Sequence, residues 1–423
     1  MTLWVGLDWA DKKHCLVVRP LEGTPAQTHF VDHKPQSLED FFLDLRQKHP
    51  EGQIGVCLEQ SRGPVLYALL KHPFLRLYPV NPRCLADFRA VFKVSGAKAD
   101  PSDADLLCEL GFKHSDRLRA LELNDPATRQ LWLQTEHRRQ TVDQQTGLTN
   151  QLTAALKNDY PLALELFGED VGLPMSLAFL KRWPNLASAQ KAKASVLRAF
   201  FYSQNSRSED KILARLEALR TARPLTEDAA ILAAMQLRME TLWEQVAAVQ
   251  KSIKRYDQSI AKVFATHAKA KVFASFPGAG PALAPRLAAA FGTLESNFPR
   301  SLDMLCWSGV APVQKASGQS KVVLFRYARP KFLHQTFVEY ARLSVPYSAW
   351  ASLLFEQLRQ KGWKRFRIYR YIAFKWIRVL WRCWKDGVEY DEAKYLRGLQ
   401  QRGVTFYQSL YPDPPAAMAP KPQ

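Results

Sequence analysis

Two carboxylates in this chain stand at the ends of apolar runs, and two more open a helical stretch. Asp8 closes Leu3-Trp4-Val5-Gly6-Leu7-Asp8, and Glu59 closes Gln53-Ile54-Gly55-Val56-Cys57-Leu58-Glu59. A third group lies in Lys98-Ala99-Asp100-Pro101-Ser102-Asp103-Ala104-Asp105. A strand that ends on an acid places its carboxylate at the rim of a sheet, where it can hold a cation. Two-metal phosphoryl transfer asks for three or four such groups around a pair of ions about 3.5–4 Å apart, one activating the attacking oxygen and one stabilising the leaving oxygen. Oxygen-only ligands suit Mg²⁺, or Mn²⁺ in its place. Asp100 and Asp103 share one helical face by their spacing, whereas Asp105 points elsewhere and Asp11 falls beyond its strand. Singly, each acid is more often a cap or a surface group, and the helix dipole alone would favour Asp103 in a first turn. Together they are expected to form one metal site of Asp8, Glu59, Asp100 and Asp103.

The same stretch supplies the elements that must position these acids. Strand-like runs fall at 3–8, 14–19 and 27–31, then a helix at 38–47 and a strand at 53–59. A short helix to residue 71, a strand at 75–80 and helices at 82–92 and 102–112 complete residues 1–115. Three strands, a helix, then alternating strands and helices is the order of an α/β, ribonuclease-H-like fold.

Residues 116–265 follow another period. Leu232, Met235, Met239, Leu242, Val246, Val249, Ile253, Tyr256 and Ile260 alternate spacings of three and four, a heptad seam. A weaker seam runs through Leu131, Val142, Leu148, Leu152 and Leu156. The spacing predicts a long helical coiled coil, either two helices packed within one chain or an antiparallel hairpin that also joins two chains. Between them, 161–225 reads as a helical insertion punctuated by Pro161, Pro174, Pro184 and Pro224. Its basic residues, among them Lys191, Arg198, Arg207 and Arg215, ordinarily make a solvated face.

Residues 266–400 read as mostly α. The turn Pro277-Gly278-Ala279-Gly280-Pro281 precedes a helix, and its glycines would let backbone N–H groups approach a phosphate or would simply make a tight turn. A loop of small residues follows from Trp307 to Lys321. Positions 361–385 hold nine lysines and arginines, eight aromatics and no acid. Phe366, Tyr369, Ala373, Trp376, Leu380 and Trp384 are expected to pack inward, with Lys375, Arg378, Arg382 and Lys385 on another face. Lys375, Arg378 and Arg382, with Gly278, Gly280 and Lys321, are the candidate nucleic-acid contacts. The proline-rich tail within 401–423 is expected to be partly disordered.

Composition narrows the partner. The chain has 423 residues and a formal net charge of +19, with a pI near 9.7, which points to a polyanion, nucleic acid ahead of an anionic membrane. No apolar run reaches the roughly 20 residues that span a bilayer, and acids and lysines interrupt the N-terminus too early for a signal peptide. Six cysteines without a C-x-x-C pair fit a reducing cytoplasm.

With these residues in hand, the chain resembles the IS110-type (IS110/IS1111/IS116/IS902) transposases, or DEDD recombinases, from Gly6 to about Leu396. Gly6-Leu7-Asp8-Trp9-Ala10 looks like the family's strand-1 motif, Glu59-Gln60-Ser61-Arg62-Gly63 its E-x-(S/T)-x-G element, and Lys98-Ala99-Asp100-Pro101-Ser102-Asp103-Ala104 its K-x-D-x-x-D-A element. The Pro277–Pro281 turn and Gly309-Val310-Ala311-Pro312 followed by Ser317-Gly318 look like its C-terminal transposase domain. The resemblance implies a RuvC-like domain whose tetrad Asp8, Glu59, Asp100 and Asp103 binds divalent metal, two ions of Mg²⁺ or Mn²⁺. It also implies a serine nucleophile, Ser317 by motif match ahead of Ser320 and Ser308, that forms a covalent phosphoserine link to DNA. The partners implied are DNA at the element ends and target, a structured guide RNA of the bridge type, and further copies of the chain as a homodimer assembling to a homotetramer. The setting implied is bacterial, cytoplasmic and nucleoid-associated, with no membrane.

No His or Lys adjoins Ser317 to activate it in the usual way, so its chemistry would rest on the metals lowering the cost of an alkoxide. Many relatives follow the serine with Gly-Gly-Lys, where this chain has Gly318-Gln319-Ser320-Lys321. The competing enzyme is a RuvC-like junction endonuclease, which needs the four acids and a metal-activated water but not Ser317. A binding-only protein is the third reading, and it would have no use for carboxylates gathered against a polyanion.

Overall fold

Short connections make neighbours of the first three strands, and a helical crossover brings the next two in parallel. The computed structural model describes residues 1–423 apart from 22–24, 60–62, 93–99, 169–170, 319, 405–406 and 409–423, and apart from the side chains of Pro64, Phe92 and Asp100. The chain divides into two units, Met1–Leu123 and Asn124–Gln423.

In the first unit β1 (Leu3–Asp8), β2 (Lys13–Pro20), β3 (Gln27–Asp32), β4 (Ile54–Leu58) and β5 (Leu75–Pro79) form one sheet in the order β3-β2-β1-β4-β5. β1 pairs antiparallel with β2 and parallel with β4; β2–β3 is antiparallel and β4–β5 parallel. The helices are α1 (Pro35–Lys48), α2 (Pro64–Leu69), α3 (Pro82–Phe92) and α4 (Asp100–His114). Leu3, Val5 and Leu7 pack with Phe42 and Leu45 of α1 and Leu66 and Leu69 of α2. Trp4 and Cys57 face the other way, onto Ala104, Leu107 and Cys108 of α4. With both faces covered, β1 and β4 read as near-continuous apolar runs rather than alternating ones.

Helix α4 lies directly on β1. A Cβ at Gly6 would stand 1.9 Å from the Ala104 carbonyl oxygen and 2.4 Å from the Cys108 nitrogen. The Trp4 ring fills the space above Gly55 and Gly111, where a Cβ would come within 2.5 and 2.3 Å of it.

Among the described residues, the regular structure of the second unit is helical except for one hairpin. α5 (Pro126–Asp159) and α11 (Ala229–Ala265) are separated by α6 (Pro161–Phe167), α7 (Pro174–Arg182), α8 (Leu186–Gln190), α9 (Ala194–Ser203) and α10 (Glu209–Thr221). α5 and α11 run antiparallel, with Gln134 bonded to Ser259 at 2.9 Å and Arg138 to Asp257 at 2.5 Å. The seam of α11 is taken up inside the chain: Met239, Leu242 and Val246 pack with Leu152 and Leu156 of α5 and Phe179 and Phe201 of the intervening helices. Ile260 packs on Leu131. The charged side chains of Arg198 and Arg220 in the intervening helices pair locally with Glu209 and Glu217.

Then follow α12 (Ala270–Ala274), α13 (Gly280–Phe291), α14 (Ser301–Trp307), β6 (Val313–Ser317), β7 (Ser320–Leu324), α15 (Lys331–Ser344), α16 (Ala349–Gln360), α17 (Arg365–Asp386) and α18 (Glu392–Gln401). Trp350, Trp376 and Trp384 are fully buried in their core. Each indole N–H has a partner: the Tyr390 hydroxyl at 3.0 Å, Ser344 Oγ at 2.8 Å and the Gly292 carbonyl at 2.6 Å. One sequence expectation fails here. Phe366 does not pack inward but is 80% exposed, because the buried stripe of α17 starts at Ile368 and the first turn overhangs the core. Tyr369 is half-buried, stacked on Phe355. Among the described residues no helix is long and apolar enough to cross a membrane.

Two glycines should respond oppositely to alanine. Gly6→Ala forces α4 off β1 and should cost more than about 3 kcal/mol. Gly147, exposed within α5 with nothing within 4 Å of its Cβ position, should gain about 1 kcal/mol as alanine. Urea denaturation of the two variants measures both.

Candidate active site

β1 and β4 lie side by side with Leu7 opposite Leu58, so Asp8 and Glu59 leave adjacent strands at the same level. Strand alternation sets their face. Trp4 and Gly6 on β1, and Gly55 and Cys57 on β4, look toward α4, and Asp8 and Glu59 continue those two series. Both acids are half-buried.

α4 runs antiparallel to β1. Gly111 lies against Trp4 and Cys57, while Ala104 and Cys108 lie against Gly6, and Cys108 Sγ donates to the Trp4 carbonyl at 3.4 Å. The first turn of α4 is therefore directed at the rim that carries Asp8 and Glu59. Asp103, in that turn, is 1% exposed. Asp100 opens the helix, one turn ahead of Ala104, but its side chain lies outside the described residues. So do Lys98 and Ala99 of the same motif, and Gln60, Ser61 and Arg62 after Glu59.

The carboxylate of Asp103 is held by α3. Arg89 reaches its Oδ1 with Nη2 at 2.7 Å and Nε at 2.8 Å. This charge-assisted contact supplies the counter-charge that a buried carboxylate requires. Among the described residues, no three His, Cys, Asp or Glu side chains stand close enough to hold one ion. The fold thus brings Asp8, Glu59 and the helix start of Asp103 to one rim without closing them into a cage. Their chemistry fits a hard divalent cation, since all are oxygen donors with neither thiol nor imidazole among them. Both Arg89 contacts fall on Oδ1 of Asp103. Asp105 is engaged elsewhere, with Arg19 at 3.4 Å.

A histidine pair pins the turn after Asp8. The Ala10 N–H donates to His14 Nδ1 at 3.3 Å, which leaves His14 Nε2–H to donate to His33 Nδ1 at 2.9 Å. Burial, then His33, pushes the His14 pKa down to about 4, so its ring is neutral.

The second unit carries the serine candidates. Ser317 ends β6 directly opposite Ser320 at the start of β7, across a tip where Gly318 has φ +54°. Both serines are exposed, and neither has a side-chain hydrogen bond among the described residues; Gln319 lies outside them. Ser308 is fully buried and donates to the Leu305 carbonyl at 3.3 Å, a packing role closed to a DNA strand. Gly278 also has a packing reason: at φ +74°, its Cβ position is 2.6 Å from the Leu343 carbonyl oxygen. Gly280 opens α13 with nothing within 4 Å. Lys321 and Arg378 are exposed, Lys375 lies over Tyr371, and Arg382 is paired with Asp386 at 2.6 Å.

Comparison with known proteins places this geometry. Residues 5–161 match a family model described as a transposase, the DEDD type of IS110, and residues 270–355 match the transposase IS116/IS110/IS902 family. The mini-circle putative transposase for IS117 of Streptomyces coelicolor is 25% identical over 409 residues, covering 95% of this chain and 98% of the relative. The chain belongs to the IS110 family of transposases. A 44.8 kDa protein of insertion element IS116 from Streptomyces clavuligerus is 24% identical over 319 residues, 75% of this chain and 78% of its own. A putative transposase of Sinorhizobium fredii matches 45% of the chain at 26% identity. This IS110-family enzyme is a DNA transposase, and its family suggests use of divalent metal. One matched segment holds the four acids and the other the Gly278 turn and the serine hairpin.

Arg89 and the His14–His33 pair escaped the sequence reading. His14 sits in the run after Asp8, but nothing in its spacing names His33, and an arginine on a separate helix gives no signal for Asp103.

Arg89→Met should destabilise the transposase by about 3–5 kcal/mol at neutral pH, because it strands a buried carboxylate. Asp103→Asn in the same chain should restore most of that loss in urea denaturation. His14 makes a pH prediction with a definite sign. Its folded pKa is depressed from 6.5 to about 4, so its stabilisation is complete above pH 6.5 and drains away as pH falls toward 4. His14→Gln should flatten the unfolding free energy across that window.

Proposed function

We propose that this transposase cuts and rejoins DNA strands with a metal-binding tetrad, Asp8, Glu59, Asp100 and Asp103, on a RuvC-like domain and with Ser317 as nucleophile. The observation that carries the reading is the rim itself: two strand-end acids on one face, with the first turn of α4 directed at them. The strand order β3-β2-β1-β4-β5 supports the RuvC-like assignment. Divalent cations held there would lower the cost of forming an alkoxide and stabilise the leaving oxygen. Asp8 ends β1 and Glu59 follows β4 directly, and Asp103 joins them from the first turn of α4. Ser317, at an exposed hairpin tip, can meet a phosphodiester without rearrangement of the core. Its Oγ–P bond forms as the bond from phosphorus to one strand's sugar oxygen breaks. That strand leaves as a hydroxyl, its proton balancing the one Ser317 gives up. Attack by another strand's hydroxyl on the phosphoserine reverses the exchange and rejoins DNA.

A net charge of +19 supports two polyanionic partners, the DNA and a guide RNA of the bridge type. Assembly as a homodimer and then a homotetramer completes the reading.

Incubation with Mg²⁺, guide RNA and matched DNAs should trap a protein–DNA adduct that survives denaturation. Ser317→Ala and Asp8→Asn should reduce it to background, while Ser320→Ala should keep it. An adduct persisting in Ser317→Ala would remove Ser317 from its role. Undiminished strand cleavage by that variant, with no adduct, would assign the attack to water and the enzyme to the RuvC-like endonucleases.

A further inference from the structure

Two arginines that the sequence did not single out converge beyond the serine hairpin. Arg329, in the loop before α15, and Arg370, on α17, place their guanidinium carbons 4.2 and 4.3 Å from the centroid of the Phe325 ring. Phe325 follows β7 directly. Among the described residues neither arginine has an ion pair, and the Nε atoms of both are buried without a hydrogen-bond partner. Arg329 donates to the Arg326 carbonyl, and Arg326 Nε in turn to the Ala311 carbonyl at 3.3 Å. Burial lowers the pKa of both arginines, and Arg329 lowers that of Arg370 further. His334, beside them, donates toward the Ser308 carbonyl at 3.2 Å and is driven down to about 4, chiefly by burial and then by Arg329. It therefore adds no charge of its own.

The cluster is built into the fold. A Cβ at Gly309 would stand 2.0 Å from Arg329 Cδ, so the glycine of Gly309-Val310-Ala311-Pro312 is what makes room for the arginine. Half-burying two like charges against each other is unfavourable, and the face of one ring offsets only part of the cost. An anion with several oxygens would offset the rest. Two highly exposed aromatics stand nearby in sequence, Tyr327 at 83% and Phe366 at 80%, one turn of α17 before Arg370. Such rings are platforms for unstacked bases.

We propose that Arg329 and Arg370 bind the phosphodiester backbone of a single DNA strand beside the serine hairpin, with Tyr327 and Phe366 stacking its unpaired bases. The proposal rests on the reading of the chain as a DNA-cutting transposase and adds how a strand is held there.

Fluorescence anisotropy on the full chain without Mg²⁺ tests it, using a labelled single-stranded DNA, the matching duplex and an RNA of the same sequence. Arg329→Gln and Arg370→Gln should each weaken single-strand binding about tenfold and lower the slope of log affinity against log salt by about 1. Arg370→Lys should keep the slope. Tyr327→Ala and Phe366→Ala should weaken the single strand and leave the duplex unchanged. Should Arg329→Gln melt early, Arg370→Gln alone carries the test. Unchanged affinity and slope in an Arg370→Gln variant of wild-type melting temperature would overturn the site, and losses confined to RNA would overturn the choice of DNA. Anisotropy reads this site without any adduct forming, so loss of the adduct reading and loss of this site are separate outcomes.

Discussion

The first unit depends on one contact, the seating of the α4 backbone on Gly6. Where a side chain would stand, the Ala104 carbonyl lies instead, and no other residue type leaves that space. Gly6 is two residues from Asp8, and Ala104 is next to Asp103. A single close approach therefore sets the level of the helix acid against the strand acid. The Trp4 ring over Gly55 and Gly111 fixes the same register farther along. The glycine and the acids of these motifs are parts of one device, since moving α4 by a turn would carry Asp103 about 5 Å along the sheet.

Buried charge is treated in two ways in this protein. Arg286 is almost fully buried; its Nε has no partner, but its two Nη atoms reach Glu339 at 2.8 Å and Thr336 at 2.9 Å, so its charge is met by a carboxylate within the fold. Asp103 is likewise completed by Arg89, but at the rim where an added cation would compete for the carboxylate. Arg329 and Arg370 share the Phe325 ring, and among the described residues neither is paired with a carboxylate. The contrast separates charges that serve the fold from those with capacity to spare.

Much of the first unit was legible because its central strands, β1 and β4, are covered on both faces. That produces uninterrupted apolar runs whose ends are sharp, and the acids at those ends stand out. The heptad seam of α11 was legible as a period, yet a period names no partner, and only the packing of Met239 and Leu242 against α5 and the inserted helices shows where it goes. Phe366 was misread for a related reason: helical spacing gives the face but not where along the helix the core begins. Arg89, His33 and Arg329 were silent because their significance lies wholly in contacts between distant segments. At the serine hairpin the residue type was visible through its motif, whereas its exposure was not.

The paired helices α5 and α11 also act as a ruler. Leu131 belongs to the end that joins α13, and Ala155 to the cluster built with the inserted helices. At 1.5 Å per residue these positions are about 36 Å apart, close to one turn of duplex DNA. The two clusters are thus held one long helix apart by backbone hydrogen bonding, with no contact of their own needed to keep the distance.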